Sequence, residues 1–191
     1  MRHRFGFAPA FAFALLLASA PLLAQEVEEY EGDKDPRMAL GLAVGLVEPG
    51  DDVETYLTAQ LRLRIGKRDK GQGRRQDEGV DAYLEPEVGY WEESNSGASD
   101  LMAGINLVGV VPFGNVESFF GVGAGVHFVD GELLEEPAAG SATKFGANSH
   151  FGLDLFLSDS WSLYGTGRFD LVQDARTSTQ AKVFLGVRGR F

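Results

Sequence analysis

Few residues in this 191-residue chain have the types that reacting groups require. Cysteine is absent, which removes disulfides, thiolate metal sites and thiol nucleophiles. Three histidines leave little material for an imidazole metal site, and no cofactor is implied. The most suggestive cluster is Asn148, Ser149, His150 and Asp154. A hydroxyl nucleophile must lie within hydrogen-bond reach of its imidazole base, with a carboxylate behind the ring. On an extended strand, Ser149 and His150 point to opposite faces. Asp154 would lie about 13 Å from His150 at a rise of ~3.3 Å per residue. The expectation is no enzyme, with His127 and His150 as hydrogen-bonding residues. Gly121-Val-Gly-Ala-Gly125 has the glycine spacing of a phosphate cradle. It lacks both the Lys-Ser/Thr pair and the following helix.

Charge narrows the partners. Acidic residues number 28 against 17 basic ones, a net charge of −11, so nucleic acid is not an expected partner. The basic stretch Lys67, Arg68, Lys70, Arg74 and Arg75 is diluted by Asp69, Asp77 and Glu78 and reads as a solvated loop. The acidic stretch Asp130, Glu132, Glu135 and Glu136 reads the same way.

From Arg37 onward, apolar residues recur with period 2, the signature of strands rather than helices. Eight segments alternate in this way: 37–47, 51–65, 80–91, 100–111, 116–129, 143–158, 160–173 and 179–191. Turn-forming stretches separate them. The segments are long for soluble sheets, and they match the ~9–11 residues a tilted strand needs to cross a bilayer.

Sorting each segment by parity gives two unlike faces. One face carries Leu40, Leu42, Leu57, Val88, Ile105, Leu107, Val122, Leu153, Leu163 and Leu185 with their like, and no charged residue. The other holds Glu54, Arg62, Arg64, Asp81, Glu85, Glu87, Glu117, Asp154, Arg168, Asp170, Lys182, Arg188 and Arg190, interspersed with small residues such as Gly41, Gly45, Gly104, Gly121, Gly123 and Gly186. Small residues suit a crowded interior, and near-balanced charges suit a medium of low dielectric. The apolar-face aromatics gather at segment ends: Tyr90, Phe128 and Phe145 at one, Trp161 and Phe191 at the other. That is the arrangement of two membrane-interface girdles.

The expected fold is therefore all-β: an eight-stranded, antiparallel, up-and-down transmembrane β-barrel. Its apolar face meets lipid and its charged face fills the lumen. Closure is required because every backbone polar group in lipid must be paired within the protein. Eight strands leave an interior that side chains can fill. A lumen network of Glu85, Glu87, Asp154, Arg168, Asp170, Lys182 and Arg188 is expected. Its third-strand and seventh-strand members should meet across the barrel as a salt-bridge plug. The small residues of the first, fifth and eighth strands leave room for a narrow path on one side.

The N-terminus reads as an address. Arg2 and Arg4 precede the apolar run Phe11 to Ala18, and Leu22-Leu23-Ala24 precedes Gln25 as a cleavage site. The expected organisation is a signal peptide over 1–24, a flexible acidic leader over 25–36 and a barrel over 37–191. The expected location is the outer membrane of a Gram-negative envelope.

Three stretches carry a family resemblance. Ala181-Lys-Val-Phe-Leu-Gly-Val-Arg-Gly-Arg-Phe191 resembles the C-terminal strand signal of bacterial outer-membrane barrels. There Phe191, with Val187, Leu185 and Val183 at alternating positions, is implied as the signal that the barrel-assembly machinery reads. Glu117-Ser-Phe-Phe-Gly-Val-Gly-Ala-Gly-Val-His127 resembles the Gly-rich strand of the small OmpA/opacity-type barrels. Leu155-Phe-Leu-Ser-Asp-Ser-Trp-Ser-Leu-Tyr164, followed by Gly167-Arg-Phe169, resembles a hairpin and basic-aromatic strand of that family. The resemblance spans about residues 37–191 and implies outer-membrane lipids and lipopolysaccharide as surroundings. A structural or surface-interaction role follows from it. No peptidoglycan-binding domain follows Phe191, so a tethering role is not expected. Alternatives are a narrow porin-like pore, a soluble exported lipid-binding barrel, and an outer-membrane lipid-modifying enzyme. Lipid A deacylases resemble one another in a His-x-Ser-Asn pattern, whereas His150 is followed by Phe151, Gly152 and Leu153. With the first strand rising from the periplasm, Pro112–Asn115 and Ser158–Ser160 are inner turns. The stretches 92–99, 130–142 and 174–178 are outer loops.

Overall fold

A computed structural model describes residues 37–48, 53–66, 80–94, 97–130, 141–173 and 179–191. The expected signal peptide and leader lie outside the described residues, as do the basic stretch and the acidic residues from Glu132 to Glu136. Eight strands appear: β1 (Met38–Glu48), β2 (Glu54–Gly66), β3 (Asp81–Glu92), β4 (Ser99–Phe113), β5 (Val116–Asp130), β6 (Ser141–Phe156), β7 (Trp161–Val172) and β8 (Thr179–Arg190). Each pairs antiparallel with the next, and β1 pairs with β8, so the sheet closes into an up-and-down barrel.

The alternation in sequence becomes an alternation across the wall, because successive side chains on a strand point to opposite faces. Leu42, Val44, Leu107, Val122, Phe120 and Leu185 are all more than half exposed on the exterior. Glu85, Asp154, Arg168, Asp170, Lys182 and Arg188 are buried inside, none more than 1% exposed. A water-soluble barrel has the reverse polarity. Three strands run one residue further than the pattern suggested and end in Glu48, Glu92 and Asp130. These acids are exposed at one rim, beyond the apolar band.

The chain enters and leaves at one end of the barrel, here called the near end. Phe191 N–H donates to Met38 C=O at 2.9 Å, and Phe191 C=O accepts from Arg37 and Met38 N–H at 3.1 and 3.2 Å. The terminal residue thus completes the β1–β8 closure. Two of the turns at this end, β4–β5 and β6–β7, are tight. Gly114, between β4 and β5, has φ 62°, a conformation glycine adopts without the steric cost of a Cβ. Leu157 N–H donates to Trp161 C=O at 2.9 Å across the β6–β7 turn. At the far end, Gly97 has φ 69°, and the turn after β3 closes through Glu93 N–H to Ala98 C=O at 2.7 Å.

Candidate functional site

Among the described residues, most of the ionisable side chains of the strands converge in the lumen. Four carboxylates, Glu85, Glu87, Asp154 and Asp170, meet four bases, Arg62, Arg168, Lys182 and Arg188. Glu87 on β3 receives Arg168 from β7 across the barrel. It also accepts from Thr58 at 2.9 Å, Asn106 at 3.0 Å and Tyr56 at 3.3 Å. Arg168 turns its remaining donors to Asp170, 2.8 Å from Nη2, and Lys182 Nζ lies 2.9 Å from the other Asp170 oxygen. Asp154 binds Arg188, Arg62 at 3.2 Å and the Ser162 hydroxyl at 3.1 Å. Arg62 Nε completes a second link to Glu85 at 2.9 Å.

Charge is matched in this layer, and the matching explains why it is tolerated. A lone buried charge costs several kcal/mol, whereas a paired and hydrogen-bonded one recovers most of that. The guanidinium faces are covered too. Arg188 lies 4.1 Å from the Tyr164 ring centre and Arg62 lies 4.6 Å from that of Phe119. Both stackings add cation–π attraction.

Further pairs flank the centre. Arg64–Asp81 at 2.8 Å and Arg190–Glu117 at 2.9 Å lie toward the near end. Toward the far end, His127 Nδ1 lies 2.8 Å from Asp100, which also accepts from Gln180 at 3.3 Å. Glu54 accepts the Ser94 amide at 3.1 Å and its hydroxyl at 2.8 Å.

Every residue of the expected network lies in the lumen, and the pairing has its own detail. Arg168 meets Glu87, while Glu85 turns to Arg62. Arg62 joins the expected network, because alternation fixes a side chain's face and leaves its cross-barrel partner open. Alternation likewise leaves open the pairing of Asp100 with His127. They lie on adjacent strands, opposite one another but for a diagonal step, and no local motif marks that placement. His150 has Glu85 Oε1 3.6 Å from Nε2 and Asn148 Oδ1 3.5 Å from Nδ1. Ser149 faces outward and is exposed, so the wall of the barrel parts it from the imidazole. Among the described residues, no three His, Asp or Glu side chains converge as metal ligands.

The small lumen residues are seats for large ones. A Cβ on Gly121 would collide with the His150 ring, one on Gly123 with the Asn106 amide, and one on Gly152 with Phe119. Gly41 and Gly186 accept Tyr164 and Gly89 accepts Tyr56, while Gly45 lets β1 approach the β8 backbone at Val183 and Phe184. The room that small residues leave on β1, β5 and β8 is therefore largely filled by side chains from facing and neighbouring strands.

On the exterior, Tyr90, Phe128 and Phe145 lie toward the far end, and all are exposed. Trp161 and Phe191 are exposed at the near end, and both rings pack beside Gly189, about 3.5 Å from where its Cβ would stand. Val183, Leu185 and Val187 share the outward face of β8 with them.

No protein-family profile matches the sequence. No curated protein matches it either. Solved structures do. Neisserial surface protein A is similar in fold, with a TM-score of 0.58 and 11% identity over 81% of this chain and 96% of that one. The chain has the fold of the small outer-membrane barrels of the OmpA/opacity type. The N-terminal β-barrel domain of Pseudomonas aeruginosa OprF is also similar, with a TM-score of 0.51 and 9% identity over 80% and 97% of the two chains. So is the outer membrane enzyme PagL, with a TM-score of 0.50 and 17% identity over 78% and 97%. What the three share with this chain is the architecture, on which different roles are built.

Proposed function

We propose that this protein is exported to the bacterial outer membrane and spans it as a sealed barrel with a structural or surface-interaction role. The observation that carries the reading is the inverted polarity: a continuous apolar exterior around a charge-matched interior. Among the described residues, twenty-nine large hydrophobic side chains are exposed, far more than an aqueous surface tolerates as a contiguous patch. Lipid turns that cost into the driving force for insertion. A soluble lipid-binding barrel needs those residues inside, around a cavity, and here the interior is charged and filled.

In this reading the near end faces the periplasm, where the short β4–β5 and β6–β7 turns lie, and the far end faces the cell surface. The two aromatic groups sit at the two interfaces. Phe191 and the alternating apolar residues of β8 serve as the assembly signal. Outer-membrane lipids and lipopolysaccharide surround the wall. The filled lumen favours a structural barrel over an open pore, and the outward Ser149 speaks against a hydrolase built on His150.

Fractionation of expressing cells, followed by detergent extraction and electrophoresis with and without boiling, tests the reading. The expected result is extraction from the outer-membrane fraction and a heat-dependent change in mobility. Recovery in the soluble periplasmic fraction, with no such change, overturns it.

A further inference from the structure

The backbone ladder of the barrel is continuous at seven of its eight seams and broken at one. Between β2 and β3 the register runs from Gln60↔Glu87 to Leu63↔Leu84 without the two intervening pairs, Leu61–Pro86 and Arg62–Glu85. Every other seam keeps consecutive pairing along its length. The same seam carries the one register shift, between Arg64 and Gly66. The break and the bulge therefore lie close together.

Pro86 supplies the cause. It sits at the middle of β3 (Asp81–Glu92) and has no N–H to donate. Proline in a sheet is normally confined to edges and bulges, and a closed barrel has no edges. Arg64 N–H donates to Arg37 C=O at 3.0 Å, on the β1 side. Strand alternation then aims the N–H and C=O of Leu61 at β3, toward Pro86. The Leu61 carbonyl faces the position where the missing donor should be. Pro112, by contrast, is the next-to-last residue of β4 and leaves the β4–β5 ladder whole.

Behind the break, on the lumen side, stands the Arg62–Glu85 ion pair at 2.9 Å, its partners directly opposite each other on β2 and β3. Side-chain charge thus links the two strands where the backbone ladder lacks one donor. We infer that the β2–β3 seam is a built-in parting line of the barrel wall, the place where the sheet opens first and admits water to the Arg62–Glu85 pair. The inference goes beyond the proposed membrane role. The ladder break belongs to the sheet and stands whatever solvent meets the exterior.

Residue-resolved amide exchange of the full chain, refolded in detergent micelles, tests it. The amides of Leu61, Leu63, Leu84 and Val88, directed across this seam, are expected to exchange at least about ten-fold faster than the mid-strand amides of β4 and β5. Pro86→Val supplies the missing donor. It is expected to slow Leu61 and Leu63 by about ten-fold, the worth of one restored hydrogen bond, while leaving β4 and β5 unchanged. If Pro86→Val does not refold, the comparison within the native protein decides alone. Equal protection across the two seams, or a Pro86→Val protein that exchanges as the native one does, overturns the inference.

Discussion

Asp154→Asn isolates the charge matching that holds the lumen together. Asp154 is 0% exposed and accepts from Arg62, Arg188 and Ser162. The amide keeps the size and removes the charge. Glu85 is then the nearest carboxylate for both guanidiniums, already 2.9 Å from Arg62 and 3.9 Å from Arg188. Two cations sharing one anion leave about one buried charge uncompensated, a loss of roughly 3–5 kcal/mol. The peripheral pair Arg64–Asp81 provides the control, because its side chains are 9% and 14% exposed. Asp81→Asn is expected to cost about 1 kcal/mol or less, since water enters to solvate the freed arginine. The assay is reversible urea unfolding in lipid vesicles, read by tryptophan fluorescence. A second variant, Asp154→Leu with Arg188→Met, removes both charges and restores the balance. It should regain at least about 1–2 kcal/mol relative to the sum of the single changes. A loss under 1 kcal/mol for Asp154→Asn, or equal losses for Asp154→Asn and Asp81→Asn, would refute the view that buried pairing sustains the lumen.

Leu107→Arg puts a charge on the exterior of β4, where Leu107 is 54% exposed. It should cost roughly 2–4 kcal/mol in lipid, against a much smaller loss for Leu107→Ala, both read from the same unfolding assay. Deleting Phe191 removes the aromatic ring together with the backbone bonds to Arg37 and Met38, whereas Phe191→Ala removes only the ring. If the ring is the assembly signal, both variants lower the yield in the outer-membrane fraction, and normal yield from Phe191→Ala contradicts that role. In planar bilayers the wild-type protein should show no steady conductance. Arg168→Ala with Glu87→Ala, which cuts the cross-barrel pair, should raise the leak and lower stability together.

The faces of this barrel were legible because strand alternation has no free parameter once a strand is recognised: Leu107 and Asn106 must part, and so must Ser149 and His150. Strand ends were close to the expected positions for the same reason, with the apolar band fixing where each strand could stop. Cross-barrel partners were not legible. Whether Arg168 meets Glu85 or Glu87 depends on the stagger of strands around the closed sheet, a property of every register together. The seat of Tyr164 over Gly41 and Gly186 is of that kind. So is the diagonal step from Asp100 to His127. Pro86 was visible in the sequence, but its meaning depends on which neighbour its missing N–H would have faced, and that requires the register of β2 against β3.

In the proposed membrane barrel the exterior meets lipid and the lumen does not. The chain has two tryptophans, and the fold places one on each side of the wall: Trp161 is 55% exposed outside and Trp91 is 1% exposed inside. Trp91→Phe and Trp161→Phe each leave a single reporter, to be reconstituted in vesicles of lipids brominated along their acyl chains. Trp161 fluorescence should be strongly quenched, and Trp91 fluorescence should be nearly unaffected. Quenching of Trp91 with sparing of Trp161 would mean that the wall is inside out, and the membrane assignment would fall.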